Sequence, residues 1–366
     1  MGFPRIFIAR RIKHILFAIV AVLAVFGALA VAAKAHPLLF GSSIAPSSSL
    51  PPSACDTECS LFIEPDAGIA PFITLVRGAS KSIDLVMYEL EDPAIFAALA
   101  DAEKRGVAVR VILNHYFYSG GSGFSRGNPN EMAYVALARA GAAVRWSSAR
   151  FTYTHEKSMV IDGARAFIMS FNLVPKYYPT GRDFGVADTD AADAEAMEAA
   201  FDADWNAADG RAAAVQVSPG NHLVWSPGSR PAIAELIDGA TRSLEVYNEE
   251  MADDGIVAAL ERAARRGVAV RIVMTWSADW KHAWDALVAA GTNVRTYPET
   301  SSGLYIHAKA VIADGARAFV GSENFSATSL DQNRELGIML GPSPATVVLR
   351  AVFEKDWAGA EPFRGG

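Results

Sequence analysis

Cysteine is scarce in this chain: Cys55 and Cys59 are the only two in 366 residues. A metal centre at that pair is disfavoured, because the neighbourhood offers only Asp56 and Glu58 as further ligands. In an oxidising compartment the two thiols are expected to close as a small staple, with free thiols as the alternative. Positive charge is also short, with 33 Lys and Arg against 40 Asp and Glu. Residues 1–35 hold five basic and no acidic side chains, so the remainder carries 28 basic against 40 acidic residues, a formal −12. Sequence-independent DNA binders are normally electropositive, since phosphate contacts dominate their affinity. The charge therefore points away from nucleic acid, although it leaves a local basic groove open.

Long apolar stretches are limited to one, Ile15–Ala33, preceded by Arg5, Arg10, Arg11 and Lys13 and followed by Lys34-Ala35. A basic start, an apolar run and small residues read as an export signal. At about 1.5 Å per residue the run also nearly crosses a bilayer, so a cleaved signal and a retained anchor both fit. The cationic end stays cytoplasmic in either case, and the body of the protein is expected outside the cytoplasm, periplasmic or secreted. The expected division is a signal or anchor at 1–35, a Pro- and Ser-rich stem at 36–58, and two repeats at 59–213 and 214–366.

The repeat is the main feature of the chain. Tyr305–Gly337 contains His307, Lys309, Asp314, Gly321, Ser322, Asn324 and Glu335. THEKSMVIDGARAFIMSFNL, starting at Thr154, places His155, Lys157, Asp162, Ser170 and Asn172 at the same mutual spacings. Asp183 follows His155 by 28 residues, and Glu335 follows His307 by 28. Both copies contain the word DGARAF, an Asp-Gly turn between two short apolar strands. In an extended strand residues i and i+2 share a face, so each His and Lys project together. An imidazole beside an ammonium suits attack on a phosphodiester.

The duplication extends beyond the motif. The first repeat reads as helix Pro71–Ala79, strand Ser82–Tyr88, helix Pro93–Arg105 and strand Val107–Leu113. The second reads as helix Pro231–Thr241, strand Ser243–Asn248, helix Gly255–Arg266 and strand Val268–Met274. RGVAVRVIL and RGVAVRIVM are near duplicates. Helices Glu131–Ala140 and Ala278–Ala290 each feed a strand ending in Val-Arg. Each half closes on a helix carrying Phe201, Asp204 and Trp205, or Phe353, Asp356 and Trp357, and the tryptophans keep the 152-residue offset of the histidines. Strands alternating with helices predict an α/β sandwich in each half, with the boundary near 206–220.

Several residues carry two readings. The insert NHYFYSGGSGFSRGNPN after Leu113 either lines an entrance with Tyr116, Phe117, Tyr118 and Phe124, or is a loop packing its own aromatics. Trp276, Trp280 and Trp284 have the spacing of one helical stripe, expected in the core. Glu89 and Glu250, at equivalent strand ends, either point into a cleft or reflect the duplication alone. Asp162 and Asp314 are expected to be structural. His14, His115, His222 and His282 match no motif and are expected to be ordinary surface or packing residues.

The doubled HxKxxxxD followed by (G)SxN resembles the phospholipase D superfamily, and the resemblance covers most of the chain after about residue 59. It implies two α/β/α sandwich halves related by a pseudo-twofold axis, with one active site at their interface. It implies His155 as the nucleophile that forms a phosphohistidine, and His307 as the general acid that then becomes the base. Asp183 and Glu335 resemble the carboxylates that fix the histidine tautomers. Lys157, Lys309, Asn172 and Asn324 would donate to the phosphoryl oxygens, with Ser170 and Ser322 as substrate-side support. No metal or cofactor is implied, because lysines and an imidazolium supply the positive charge. Met169 departs from the family's Gly, which Gly321 keeps; glycine there would let backbone approach a ligand. The expected activity is hydrolysis or transphosphatidylation of phospholipid headgroups by a monomer at a membrane surface. Cardiolipin-synthase-like phosphatidyl transfer, an exported nuclease and a non-catalytic binding module are the alternatives.

Overall fold

Two hairpins carry the repeated DGARAF. Asp162 and Gly163 have φ of 57° and 66°, and Asp314 and Gly315 have 57° and 65°. Positive φ at both central residues matches the right-handed twist of the flanking strands, which is why Asp-Gly stands there twice. Each turn aspartate also staples the hairpin to the start of the neighbouring strand. Asp162 accepts from the backbone N–H of Ser80, Lys81 and Ser82, and Asp314 from those of Thr241, Arg242 and Ser243. These bonds hold both carboxyls below their usual range, although burial opposes the shift.

The computed structural model describes residues 59–115, 117, 127–208, 219–300 and 302–365. The signal or anchor, the stem, Cys55, and residues 209–218 of the expected boundary lie outside these. Cys59 is disulfide-bonded. Among the described residues no helix is long and apolar enough to cross a membrane.

The first half runs β1 (Ser60–Glu64), α1 (Ala70–Arg77), β2 (Ser82–Met87), α2 (Pro93–Lys104), β3 (Ala108–Leu113), α3 (Glu131–Arg139), β4 (Ala143–Trp146), β5 (Ser158–Ile161), β6 (Arg165–Met169), β7 (Gly181–Asp188) and α4 (Ala191–Ala208). The second runs β8 (Leu223–Ser226), α5 (Arg230–Asp238), β9 (Ser243–Tyr247), α6 (Asp254–Arg265), β10 (Ala269–Thr275), α7 (Lys281–Ala289), β11 (Asn293–Tyr297), β12 (Tyr305–Ile306), β13 (Lys309–Ala313), β14 (Arg317–Gly321), α8 (Ala327–Asp331), β15 (Glu335–Leu340), α9 (Pro344–Gly359) and β16 (Glu361–Pro362). Asp92 and Asp253 cap α2 and α6 by accepting from Ala94 and Ile256 N–H.

The strands order as β1-β7-β6-β5-β2-β3-β4 and β16-β11-β10-β9-β13-β14-β15-β8. In each sheet the crossover strands are parallel and the hairpin strands antiparallel. Strand alternation divides the core. Met159, Ile161 and Phe167 face outward with the residues of α1–α3. Val160, Ile168 and Phe184 face inward, where they meet Ile312, Val320, Leu336 and Phe353 in one core shared by both halves. Both faces of the central strands are therefore buried, which explains their unbroken apolar runs.

The halves join by reciprocal strand contacts. β12 pairs in parallel with β7, Ile306 opposite Arg182, and Thr154 bridges Arg334. Both contacts obey the 152-residue offset. The closing helices complete the joint: Arg182 donates from Nε to Asp356 Oδ2 at 2.7 Å, and Arg334 Nε forms an ion pair with Asp204 Oδ2 at 2.7 Å. Each arginine thus reaches the other half's helix. Trp205 and Trp357 receive Arg145 and Arg295 on their ring faces at 4.1 and 4.5 Å.

The tryptophan stripe is the part of the helical reading that the structure corrects. Ser277 accepts from Asp279 N–H and starts a 3-10 turn, Ala278–Trp280, so α7 begins only at Lys281. Trp284 is buried, whereas Trp276 lies beyond β10 and is 48% exposed.

Candidate active site

Lys157 and Lys309 sit at the edges of β5 and β13, each two residues after its histidine. Asn172 and Asn324 follow β6 and β14, and Asp183 and Glu335 lie on β7 and at the start of β15. The cross-half contacts bring the two sets together. His307 and Ala308 donate their backbone N–H to Arg182 O, at 3.2 and 2.8 Å, and Arg334 N–H donates to Tyr153 O at 2.9 Å. Asp183 therefore lies beside His307 and Glu335 beside His155. One cleft of about 830 Å³ results, with His155, His307, Asn172, Asn324 and Asp183 among its walls. Glu89 and Glu250 also line it.

The carboxylates act crosswise. His155 Nδ1 lies 2.7 Å from Glu335 Oε2, and His307 Nδ1 lies 2.8 Å from Asp183 Oδ1. A carboxylate at Nδ1 places the ring proton there and leaves Nε2 for the cleft. The carboxylates are themselves oriented. Ser170 Oγ donates to Asp183 Oδ1 at 2.6 Å, while Ser329 Oγ and Asn333 Nδ2 donate to Glu335 Oε1 at 2.5 and 3.0 Å.

The two copies differ at one position that the motif does not include. The registers Val86 opposite Ser158 and Tyr247 opposite Ala310 align β2 with β9, which makes Tyr88 and Glu249 equivalent. The Tyr88 ring meets His155 edge-on at 4.6 Å and lies 5.0 Å from Lys157 Nζ. Glu249 Oε2 instead accepts from Lys309 Nζ at 3.0 Å and stands 3.5 Å from His307 Nε2. Sequence reading missed both residues. The signal that would have found them is the register of the two strands, since Glu89 and Glu250 are the neighbouring equivalent pair.

Electrostatics follow this division. Burial pushes His155 down to about 4, with Glu335 opposing and Lys157 assisting; the ring is a neutral imidazole at physiological pH. Burial likewise pushes Lys157 down to about 7, Glu335 opposing and Lys309 assisting. Burial would raise Glu335, but His155, Lys157 and the Ser329 bond hold it below the usual carboxylate range. Burial would also raise Glu249, and Lys309 and His307 hold it far below.

Three expectations need correction. Ser170 and Ser322 are wholly buried and support strands rather than substrate: they accept from Phe184 and Leu336 N–H, and only Ser170 also reaches a site carboxylate. Gly321 does not face a ligand. A Cβ there would collide with Glu323 Oε2 and approach the Gly337 backbone at 2.7 Å, because positions 321 and 323 share the outer face with Phe319. The first half places Met169 and Phe171 on that face, both in the outer core, so Met169 leaves the phosphate side untouched. Glu323 is buried with no hydrogen-bond partner for either oxygen among the described residues, and burial beside Glu335 pushes its carboxyl well up. His222 is a buried residue held by Asp193 at 2.6 Å. Of the insert's aromatics, Phe117 packs on Tyr88 at 4.9 Å; Tyr116, Tyr118 and Phe124 lie outside the described residues.

Comparison with known proteins agrees with this architecture. The family described as "Cardiolipin synthase, PLD-like domain" matches residues 72–205 and 233–357. Cardiolipin synthase 1 of Staphylococcus epidermidis is 23% identical over 232 residues, covering 55% of this chain and 46% of that protein. Cardiolipin synthase A of Klebsiella pneumoniae is 24% identical over 325 residues, 77% of this chain and 65% of that one. The chain thus spans about half to two thirds of the length of these curated relatives. Among solved structures, phosphatidylserine synthase from Haemophilus influenzae superposes with a TM-score of 0.66 at 11% identity, over 86% of this chain and 90% of that one. Polyphosphate kinase from Porphyromonas gingivalis gives 0.60 at 15% identity, over 82% and 50%. The same fold thus serves differently named enzymes, but the family match spans both repeats and both motif histidines: the chain belongs to the phospholipase D-like domain family.

Proposed function

We propose that this protein transfers phosphatidyl groups between lipid alcohols through a phosphohistidine on His155. One observation carries the reading: two histidines from different halves face a single cleft, each oriented at Nδ1 by the other half's carboxylate. His155, neutral and backed by Glu335, is the nucleophile. Its Nε2 lone pair attacks phosphorus, the bond to the leaving alcohol breaks, and His307 gives that oxygen its proton. The acceptor hydroxyl then returns a proton to His307, attacks phosphorus and breaks the P–N bond. Asn172 and Lys157 donate to the phosphoryl oxygens as charge develops, and Asn324 and Lys309 stand opposite.

The family match and the cardiolipin synthase relatives support a lipid alcohol as acceptor over water, and the negative charge of the chain supports a lipid over a nucleic acid substrate. Work at a membrane surface, by a monomer exported by its N-terminal segment, belongs to the same proposal. The test incubates metal-stripped protein in EDTA with vesicles of phosphatidylglycerol or phosphatidylcholine, and separately with single-stranded DNA. Diphosphatidylglycerol and free glycerol from phosphatidylglycerol vesicles are expected. Phosphatidic acid as the sole product would replace transfer by hydrolysis, and cleavage of DNA alone would overturn the lipid reading. Turnover that returns only on adding Mg²⁺ or Ca²⁺ would overturn the metal-free account.

A further inference from the structure

The anion-binding groups of the two motifs are not equally free. In the second half, Glu249 gathers them. Its Oε2 accepts from Lys309 Nζ at 3.0 Å and lies 3.5 Å from His307 Nε2, and it shares Asn324 Nδ2, at 3.3 Å, with Glu250 Oε1 at 3.1 Å. Glu249 Oε1 accepts from Tyr305 OH at 3.0 Å, which fixes the carboxylate in place. Lysine, asparagine and histidine are the three side chains that a phosphoryl oxygen would use at this motif. In the first half, the equivalent Tyr88 offers no anion. Among the described residues Lys157 Nζ donates to His155 O at 2.7 Å and otherwise faces the Tyr88 ring, and no carboxylate bonds Asn172. The amide oxygens do not differ, since Oδ1 of both Asn172 and Asn324 is buried without a hydrogen-bond partner among the described residues; the halves differ at the donor nitrogens.

We propose that Glu249 is an internal anion occupying the phosphate position of the second motif, so that an incoming phosphoryl group is taken up by the first motif and reaches Lys309 only by displacing this carboxylate. The inference rests on reading the cleft as a phosphodiester site. It assigns Glu249 as a positioning residue. Until displaced, it keeps His307 between two carboxylates, Asp183 at Nδ1 and its own at Nε2. It also directs the first contact of the substrate to the half that carries the nucleophile. Two copies of one motif thereby receive substrate in a fixed order.

The experiment measures binding of inorganic phosphate by calorimetry, which needs no lipid and no turnover. Glu249→Gln keeps the shape and can still bond Tyr305 and Asn324, but removes the charge. One charge fewer a few ångströms from a bound anion is worth about tenfold or more in affinity. Glu249→Gln is therefore expected to bind phosphate at least about tenfold more tightly than the unaltered protein. Glu249→Ala, which empties the position, serves as the second variant should the first fail to fold, and is expected to move the same way. Glu89→Gln removes a charge from the same cleft without touching the second motif, and is expected to give a clearly smaller gain. Equal phosphate affinity in the Glu249 variants and the unaltered protein would overturn the inference while leaving the site's reading intact. An equal gain from Glu89→Gln would also overturn it, by showing a general field rather than occupancy. Absence of phosphate binding in every protein would defeat the phosphodiester reading itself.

Discussion

Glu335 lies 2.7 Å from the ring nitrogen of His155, a residue 180 positions earlier and in the other half of the chain. The same relation, with halves exchanged, joins Asp183 to His307 at 2.8 Å. Each half therefore supplies a histidine it does not orient and a carboxylate it does not use.

This exchange makes the two carboxylates separable by experiment. Asp183→Asn is expected to weaken the proton-transfer histidine, and Glu335→Gln the nucleophile. With an activated nitrophenyl phosphodiester, whose leaving group needs no proton, the first turnover of Asp183→Asn should recover toward that of the parent. Glu335→Gln should stay impaired. Recovery in Glu335→Gln alone would reverse the pairing of carboxylates with roles.

The histidines themselves should fail differently. His155→Ala is expected to abolish turnover of every substrate, since no bond to the enzyme can form. His307→Ala removes general acid catalysis, typically worth about 10²–10⁴-fold. With the nitrophenyl substrate it should still give a burst and a phosphohistidine trapped at residue 155. An adduct trapped at His307, or two variants equally silent in the burst phase, would reject this division of labour.

The pH dependence of kcat/KM follows from two depressed groups. His155, lowered to about 4, is a nucleophile only when neutral, so activity should fall as pH drops through about 4. Lys157, lowered to about 7, is a cation only when protonated, so activity should fall as pH rises through about 7. A bell between those limits is expected from initial rates at low substrate. A flat profile from pH 7 to 9 would remove Lys157 from substrate binding.

Arg182 should matter for stability rather than chemistry. It is buried, and both its Nε and Nη2 reach Asp356, which also accepts from Tyr247 OH. Arg182→Met leaves a buried carboxylate without its cation, a loss typically of about 3–5 kcal/mol. Chemical denaturation should show it, and Arg182→Met with Asp356→Asn should lose less than Arg182→Met alone. Unchanged stability in the single variant would mean that this joint does not hold the halves.

Local chemistry was legible in the chain wherever one segment determined it. The Asp-Gly turns and the alternation of strands with helices act over a few residues, and the helices and strands read from them lie within a few residues of those observed. The crosswise pairs were not legible, because a spacing of 28 links residues within a copy while the bonds run between copies. The 152-residue offset between Arg182 and Arg334, and between Asp204 and Asp356, was present in the chain and marks the joint. Met169 was misjudged for a reason visible in its own strand: residues 167, 169 and 171 share one face, opposite to Ser170 and Asn172. Trp276 was misplaced because an i, i+4, i+8 spacing cannot show where Ser277 starts the turn.

The difference between Tyr88 and Glu249 has a consequence for how such a site can change over time. Had the two halves been separate copies of one polypeptide meeting across a true twofold axis, any substitution would appear on both sides at once. An aromatic ring over one histidine and a carboxylate beside the other cannot be encoded by a single shorter gene. Joining the copies in one chain frees each position to drift independently, while the reciprocal joints through Arg182 and Arg334 preserve the old symmetry. Carrying both copies in one chain is what permits two like motifs to be unequal partners.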